Sequence, residues 1–356
     1  MLVFPPREGA PPLTSTQVDN FSAGTRGATS AEYFLSAGYA TIFLHRQFSL
    51  LPFSRHYTHA TDCFLDFLSE VESPSGAHVV TANEAQADRM LDVLRRYKTA
   101  RKEGRLLLLP FVTITDYLYE LRAISKAMRP LGPSGLLYLA AAVSDFYIPP
   151  DRMAEHKIQS TDLAGPASQA APGPIVDAPA AEYEEEEEFD NFDASPPRPP
   201  RAKRLVVDLD PVPKFLKNLK DGWCPDGFVV SFKLETDPAI LVLKARRALE
   251  RYQHHLVIGN LLSTRKWEVV FVAPDQPDGW VRVPSGRRKK SISGVEGLVG
   301  AADKAWDATQ PVDPQTMALG DPEVEIEGLI ISALKDLHTK HIDARQVGRG
   351  EEATLT

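Results

Sequence analysis

The amino-acid sequence predicts an α/β fold in which a mostly parallel β-sheet is covered by helices. Segments with helical caps alternate with short apolar segments along most of the 356 residues, and such alternation is typical of parallel sheets. Several apolar segments, such as GLLYLAAAV at residues 135–143, lack the polar alternation of a half-exposed strand. This indicates strands that are buried on both faces.

The first half of the chain opens with a predicted helix at residues 29–37. Thr29 and Glu32 match a capping box, and Gly38 is placed to end this helix in a left-handed conformation. The segment YATIFL at 39–44 predicts a buried strand. Further helices are expected at residues 62–70, 84–101 and 116–128, the last with Thr115 as its cap, and further strands at 106–112 and 135–143.

The second half continues the alternation. Asp237 and Pro238 are typical of an N-cap and a first helical residue, so a helix is predicted at 237–253. The remaining predicted elements are strands at 205–209, 227–233, 255–259 and 268–272, a short helix after Pro213 and a final helix at 323–340.

Charge is concentrated in one segment. Residues 161–204 hold ten acidic and four basic side chains, which accounts for −6 of the net charge of −8, and eight of the 29 prolines. Such a composition buries too little apolar surface to fold. We therefore predict one domain at 19–160 and 205–345, with a disordered insertion at 161–204, a loop insertion at 274–320, an atypical N-terminus at 1–18 and a tail at 346–356.

Several classes of protein are disfavoured. No apolar run reaches the roughly 18 residues that a membrane helix needs, and the first residues lack a secretory pattern. Cys63 and Cys224 lie outside any CxxC pair, as expected of reduced thiols in the cytoplasm. The GRRKK segment at 286–290 leaves a nuclear location open. Neither a membrane nor a nucleic-acid partner is expected.

The loops that follow the predicted strands are the candidate site, because ligands of open parallel sheets bind at the carboxyl ends of the strands. These loops, with the segment before the first helix, cover residues 19–32, 140–149, 232–237 and 259–265. Gly24 and Gly27 can bring backbone N–H groups close to a phosphate at a helix N-terminus, although an ordinary glycine turn has the same pattern. No G-x-G-x-x-G or G-x-x-x-x-G-K-[ST] motif is present.

Four long segments carry a resemblance to a known family. They are DNFSAGTRGATSAEYFLSAGY, LYLAAAVSDFYIPPDRMAEHKIQS, SFKLETDPAILVLKARRALERYQHHLVIGNLL and VEIEGLIISALKDLHTKHI. Together they resemble the eukaryotic phosphopantothenate–cysteine ligases, and the acidic insertion is similar to elaborations in fungal members. The resemblance implies a three-layer, Rossmann-like fold and a homodimer.

The resemblance also implies a reaction of coenzyme A biosynthesis. Members of the family join 4′-phosphopantothenate to L-cysteine through an acyl-nucleotidylate, with ATP in eukaryotic members and CTP in bacterial ones. Mg²⁺ is expected only as the partner of the nucleotide phosphates. His338 and His341 are three residues apart, but without a third ligand nearby they are expected to be solvated positions on a helix.

Matching motifs carry the family's site residues over to this chain. Asn20 is implied as a catalytic and substrate-binding amide, which can donate to an acyl phosphate without repelling anionic reactants. The other implied residues are Ala141, Ala142 and Asp145 for phosphopantothenate, Lys157 as a catalytic and triphosphate-binding group, and Ser22, Gly24, Gly27, Phe232 and Asn260 for the nucleotide. Close packing of the alanines, a core role for Phe232 and a turn role for Asn260 stay open.

The N-terminus departs from the family pattern. Residues 1–18 contain neither the family's first strand nor its GGT loop, so a gap or an irregular strand is expected beside residues 39–44 and 137–143. Two other functions therefore stay open. One is a nucleotide-binding oxidoreductase on a Rossmann-like fold, which the missing dinucleotide motif disfavours, and the other is a non-catalytic scaffold derived from the ligase.

Overall fold

The computed structural model describes residues 23–57, 64–73, 76–143, 146–147, 210–212, 215–274, 276–284, 311 and 322–354. The helices and strands are α1 (Thr25–Ser36), β1 (Thr41–Arg46), β2 (Leu68–Glu72), β3 (His78–Ala82), α2 (Ala87–Lys102), β4 (Leu106–Phe111), α3 (Ile114–Ala127), β5 (Leu136–Leu139), β6 (Phe146–Tyr147), β7 (Asp210–Pro211), α4 (Phe215–Asn218), β8 (Phe228–Glu235), α5 (Pro238–Tyr252), β9 (Leu256–Leu261), β10 (Glu268–Val272), β11 (Gly279–Arg282) and α6 (Ile326–Thr354). Strands β6 and β7 pair with each other and belong to a separate unit.

The α/β fold class is confirmed. A five-stranded sheet has the order β11-β10-β9-β8-β5. Strand β8 runs parallel to both β5 and β9, whereas β10 runs antiparallel to both β9 and β11, so this sheet is mixed. Strands β1 and β4 form a separate parallel pair, and β2 and β3 form an antiparallel hairpin.

Helices cover both faces of the five-stranded sheet. Every residue of β9 and β10 is buried, including the polar Asn260 and Glu268, as expected of strands that are covered on both faces. On one face, Ile330 and Leu334 of α6 pack with Phe34 of α1 against β8, β9 and β10. On the other face, α5 contributes Leu241 and Ala245 to a second apolar cluster. This three-layer arrangement fixes α1 above the strands that carry the candidate site.

No described strand joins the β1–β4 pair to the five-stranded sheet, and the gap or irregular strand predicted for residues 1–18 lies outside the described residues. Among the described strands, β1 pairs only with β4 and β5 only with β8. Helix α3 bridges the two sheets, because Tyr117 and Leu121 pack in one cluster with Leu44 of β1 and Leu137 of β5. The segment 135–143, which the sequence predicts as a strand buried on both faces, is a shorter strand at an edge of the described sheet.

Both predicted caps in the first half of the chain are wrong. Helix α1 begins one turn earlier than expected, with Gly24 as its N-cap, so Thr29 lies buried inside the helix. The cap of α3 is Thr113, which exchanges hydrogen bonds with Asp116, rather than Thr115. The C-terminal prediction for α1 is confirmed, since Gly38 has a φ of +93°.

The helix predicted at residues 62–70 is also wrong. A 3-10 turn at Phe64–Phe67 leads into the β2–β3 hairpin, whose turn contains Gly76 with a φ of +80°. Val71, Val79 and Val80 favour this extended structure. Strand β11 likewise lies inside the segment expected to be a loop insertion from residue 274. The predictions for 1–18, 161–204 and 205–209 lie outside the described residues.

Candidate functional site

The start of helix α1 lies where two strand ends meet. The amide of Leu50, in the loop after β1, donates to the carbonyl of Ala23 over 2.9 Å. Arg26 donates through Nη2 to the carbonyl of Arg265, in the loop after β9. The carboxyl ends of β1 and β9 therefore both reach the N-terminus of α1, as the parallel topology predicts.

The two glycines of this helix start have different structural roles. Gly24 has a φ of +78°, and a Cβ there would lie 2.9 Å from Cβ of Ser49, so the fold itself requires glycine. Gly27 lies inside α1, and a Cβ there would meet only Phe43 at an ordinary 3.5 Å. Packing of the described chain therefore does not explain Gly27, even though glycine disfavours a helix by about 1 kcal/mol.

The first turn of α1 is suited to an anion. It has no acidic side chain and no side-chain cap at its N-terminus. The first amides of any α-helix lack intrahelical acceptors, and the helix dipole adds positive potential there. The geometry therefore supports the phosphate-binding prediction for this segment.

Phe232 and Asn260 share one face of the sheet. Phe232 in β8 is aligned with Ile258 in β9, and Asn260 lies two residues further along the same strand. Phe232 is half-buried, with the Tyr138 ring 5.1 Å from its own in an edge-on contact. Asn260 is only 6% exposed, and its Oδ1 has no hydrogen-bond partner among the described residues. It lies within β9 and not in a turn, so the turn alternative is wrong.

Ala141 and Ala142 follow β5 directly at its carboxyl end. Both are exposed, and the carbonyl of Ala141 accepts a hydrogen bond from the amide of Val143 over 3.1 Å. Close packing of these small side chains under a helix is therefore not what the structure shows. Both residues can therefore be approached by a ligand from solvent.

A buried ion-pair network joins α1 to the start of α6. Glu32 is 3% exposed and accepts hydrogen bonds from the Phe53 amide at 2.8 Å, Arg55 Nε at 2.7 Å and His56 Nε2 at 2.9 Å. Arg55 also donates two hydrogen bonds to Glu325, at 2.6 and 3.1 Å. Burial opposes ionisation of Glu32, but the hydrogen bonds from His56 and Arg55 outweigh it and lower its pKa to about 2.

His338 and His341 are not the solvated positions that the sequence suggests. His338 is 2% exposed, and its ring nitrogens lie 3.0 Å from the Tyr39 hydroxyl and 3.0 Å from the Pro133 carbonyl. Nε2 of His341 lies 3.1 Å from the Asp226 carbonyl. Burial lowers the pKa of both imidazoles. These histidines serve to dock α6.

The structure describes part of the predicted site. It brings together at one edge of the fold Gly24, Gly27, Phe232 and Asn260. Ala141 and Ala142 lie at the end of β5. Asn20, Ser22, Asp145 and Lys157 lie outside the described residues.

Within the described ranges, no three His, Cys, Asp or Glu side chains come together as a metal site. None of the described helices is long and apolar enough to cross a membrane.

Comparisons with known proteins agree on one family. The phosphopantothenate–cysteine ligase CAB2 of Saccharomyces cerevisiae is 43% identical over 271 residues, which cover 75% of this chain and 65% of the yeast protein. The human phosphopantothenate–cysteine ligase is 39% identical over 72% of this chain and 70% of its own length. The chain thus matches less than two thirds of the yeast relative. No protein-family model matches it.

A solved structure supports the same assignment. Cab2 with one histidine replaced by alanine, in complex with phosphopantothenate-cysteine, superposes with a TM-score of 0.65 and 35% identity. The superposition covers 94% of this chain and 83% of the Cab2 chain. On these similarities in sequence and structure, the chain belongs to the phosphopantothenate–cysteine ligase family.

Proposed function

We propose that this chain ligates 4′-phosphopantothenate to L-cysteine at the expense of a nucleoside triphosphate, in coenzyme A biosynthesis. One observation carries the proposal: the N-terminus of α1, Phe232 and Asn260 meet at the carboxyl edge of the sheet in a member of this family. ATP is the expected nucleotide, and CTP is the alternative. The cytoplasm is the expected location, with the nucleus open.

The proposed reaction has two steps. The phosphopantothenate carboxylate attacks the α-phosphorus of the nucleotide, which forms an acyl-nucleotidylate and releases pyrophosphate. The amine of cysteine then attacks the carbonyl carbon, loses a proton and displaces the nucleoside monophosphate. We assign stabilisation of the charge on the acyl-phosphate oxygens to the Asn20 amide, and contact with the triphosphate to Lys157.

The site divides into a nucleotide part and a substrate part. In the proposal, the first turn of α1 with Ser22, Gly24 and Gly27 holds the triphosphate, Phe232 stacks on the base, and Asn260 hydrogen-bonds to its polar edge. In the same proposal, the exposed residues Ala141 and Ala142 contact phosphopantothenate through their backbone, and Asp145 accepts hydrogen bonds from it. Mg²⁺ enters as the partner of the nucleotide phosphates.

A direct assay tests the proposal. The full chain is incubated with phosphopantothenate, cysteine, Mg²⁺ and either ATP or CTP, and pyrophosphate and the amide product are measured. We expect equal amounts of both, and no amide when any one substrate is omitted. Absence of product with either nucleotide, while both bind, would favour the scaffold alternative. Nicotinamide-dependent reduction without pyrophosphate release would favour the oxidoreductase.

Replacing Gly27 with alanine should separate stability from nucleotide binding. We expect Gly27→Ala to raise the free energy of unfolding by about 0.5–1 kcal/mol, because alanine favours a helix and Phe43 leaves room for its methyl group. The KM for the nucleotide should rise at the same time, because the proposed phosphate-binding turn would lose the close backbone approach that glycine allows. Gly222→Ala is the control, since a Cβ there meets nothing within 4 Å and Gly222 is outside the site. An unchanged nucleotide KM in Gly27→Ala would remove Gly27 from the site.

The β2–β3 hairpin is the proposed interface of a homodimer. Its two strands pair only with each other among the described strands, and a lone hairpin is marginally stable in water. Val80 is 71% exposed and Val71 is 47% exposed. We expect Val80→Asp to weaken dimerisation at least about tenfold in sedimentation equilibrium, whereas Leu131→Asp, on another exposed apolar position, should not. Equal effects of both variants would place the interface elsewhere.

A further inference from the structure

Arg26 links three elements around the candidate nucleotide site. Its Nη1 lies 3.1 Å from Oε1 of Glu327 in α6, and its Nη2 donates to the carbonyl of Arg265 after β9. Its guanidinium carbon lies 5.8 Å from the centroid of the Phe232 ring, a cation–π distance. The side chain is only 16% exposed, so these contacts occupy most of it.

The position of Arg26 on α1 follows from helix geometry. Arg26, Ser30 and Phe34 are spaced by four residues and therefore lie on one face of the helix. The Ser30 hydroxyl lies 3.0 Å from the Tyr138 hydroxyl, and the Phe34 ring is 5.2 Å from the Tyr138 ring. This packing against β5 places Arg26 over β8, at Phe232.

Arg26 makes contacts that an ion pair with Glu327 alone would not require. Among the described residues, its buried Nη1 has no hydrogen-bond acceptor, even though Oε1 of Glu327 lies 3.1 Å away. A lysine could neutralise Glu327 equally well, but it could not stack on a ring and also donate to the Arg265 carbonyl. The guanidinium therefore fixes Phe232 and the segment after β9 relative to each other.

We propose that Arg26 is a positioning residue for the nucleobase. It holds the Phe232 ring and the loop after Asn260 in the arrangement that receives the base, while the amides of the same helix turn bind the phosphates. The inference rests on the proposed function, because it concerns the nucleotide of that reaction. In this proposal Arg26 acts on the base through Phe232 and does not contact the phosphates.

A comparison of variants and inhibitors tests this role. The KM for ATP and the inhibition constant of inorganic tripolyphosphate, which has no base, are measured for the full chain, Arg26→Met and Arg26→Lys. Arg55→Met is the matched control, because Arg55 is also buried and paired with glutamates, whereas the cation over the Phe232 ring is Arg26. Binding of ATP is measured by calorimetry, and the melting temperature is recorded for every variant.

We expect Arg26→Met to raise the KM and the Kd for ATP about tenfold. The inhibition constant of tripolyphosphate and the KM for cysteine should stay within about twofold of the parent values. Arg26→Lys should recover only part of the loss, and Arg55→Met should lower the melting temperature without this selective effect. Unchanged ATP binding in Arg26→Met, an equal loss for tripolyphosphate, or an equal loss in Arg55→Met would each overturn the inference. If the parent chain binds ATP but does not ligate, the proposed function fails while the binding data still decide the role of Arg26.

Discussion

Replacing Asn20 with alanine is expected to reduce amide formation by at least about 100-fold, the loss typical of removing one donor from a developing oxyanion. Asn20 lies four residues before Gly24, the N-cap of α1, and is the amide that we propose as catalytic. Its neutral amide can donate to the acyl-phosphate oxygens while two anionic reactants approach. The melting temperature should stay within about 2 °C of the parent value, because the role is chemical.

Asn20→Asp is the matched control for this prediction. It keeps the size of the side chain but replaces the donor by a carboxylate, so we expect activity at least as low as in Asn20→Ala. Single-turnover measurement of amide formation, with nucleotide already bound, isolates the chemical steps. A folded Asn20→Ala protein that turns over at the parent rate would show that Asn20 is wrongly assigned.

Replacing Glu32 with glutamine should give the largest loss of stability, about 3 kcal/mol in the free energy of unfolding. The variant leaves Arg55 buried with one charged partner in place of two. It also weakens the acceptor for the Phe53 amide, which holds that residue at a strained φ of +67°. Urea unfolding at pH 7 measures the loss.

The pH dependence of this loss has a defined sign. The pKa of Glu32 is lowered from 4.5 to about 2, so its ionised form stabilises the fold above pH 4.5 and this contribution disappears as the pH falls towards 2. The difference between Glu32→Gln and the parent should therefore shrink over that window. Glu103→Gln, which alters the exposed pair with Arg105, should cost less than about 1 kcal/mol. A pH-independent difference would contradict the assigned ion pair.

Local signals in the sequence predicted much of the fold. Asp237 caps α5 and Gly38 ends α1, because these residue types satisfy helix ends through contacts within a few positions. The β2–β3 hairpin was missed because residues 62–70 have a helix-compatible composition, and only pairing with the next segment shows them to be extended. The structure of this hairpin therefore depends on pairing between its two strands, which no local pattern shows.

The dependence on contacts between residues distant in the sequence also explains which side chains near the site the sequence does not reveal. Arg55 meets Glu325, 270 residues away, and Arg26 meets Glu327 across a similar separation, so no local pattern shows either pair. His338 reads as solvated on a charged helix, yet its contacts with Tyr39 and Pro133 bury it. By contrast, Phe232 and Asn260 are proposed from a family motif, and their shared sheet face follows from the register of β8 and β9.

Transfer of labelled oxygen tests the central claim most directly. Phosphopantothenate carrying ¹⁸O in its carboxylate is turned over with cysteine and ATP by the full chain, and the products are analysed by mass spectrometry. An acyl-nucleotidylate intermediate predicts one ¹⁸O atom in the AMP released, with pyrophosphate unlabelled. Label in orthophosphate, or AMP released without label, would contradict the proposed ligation mechanism.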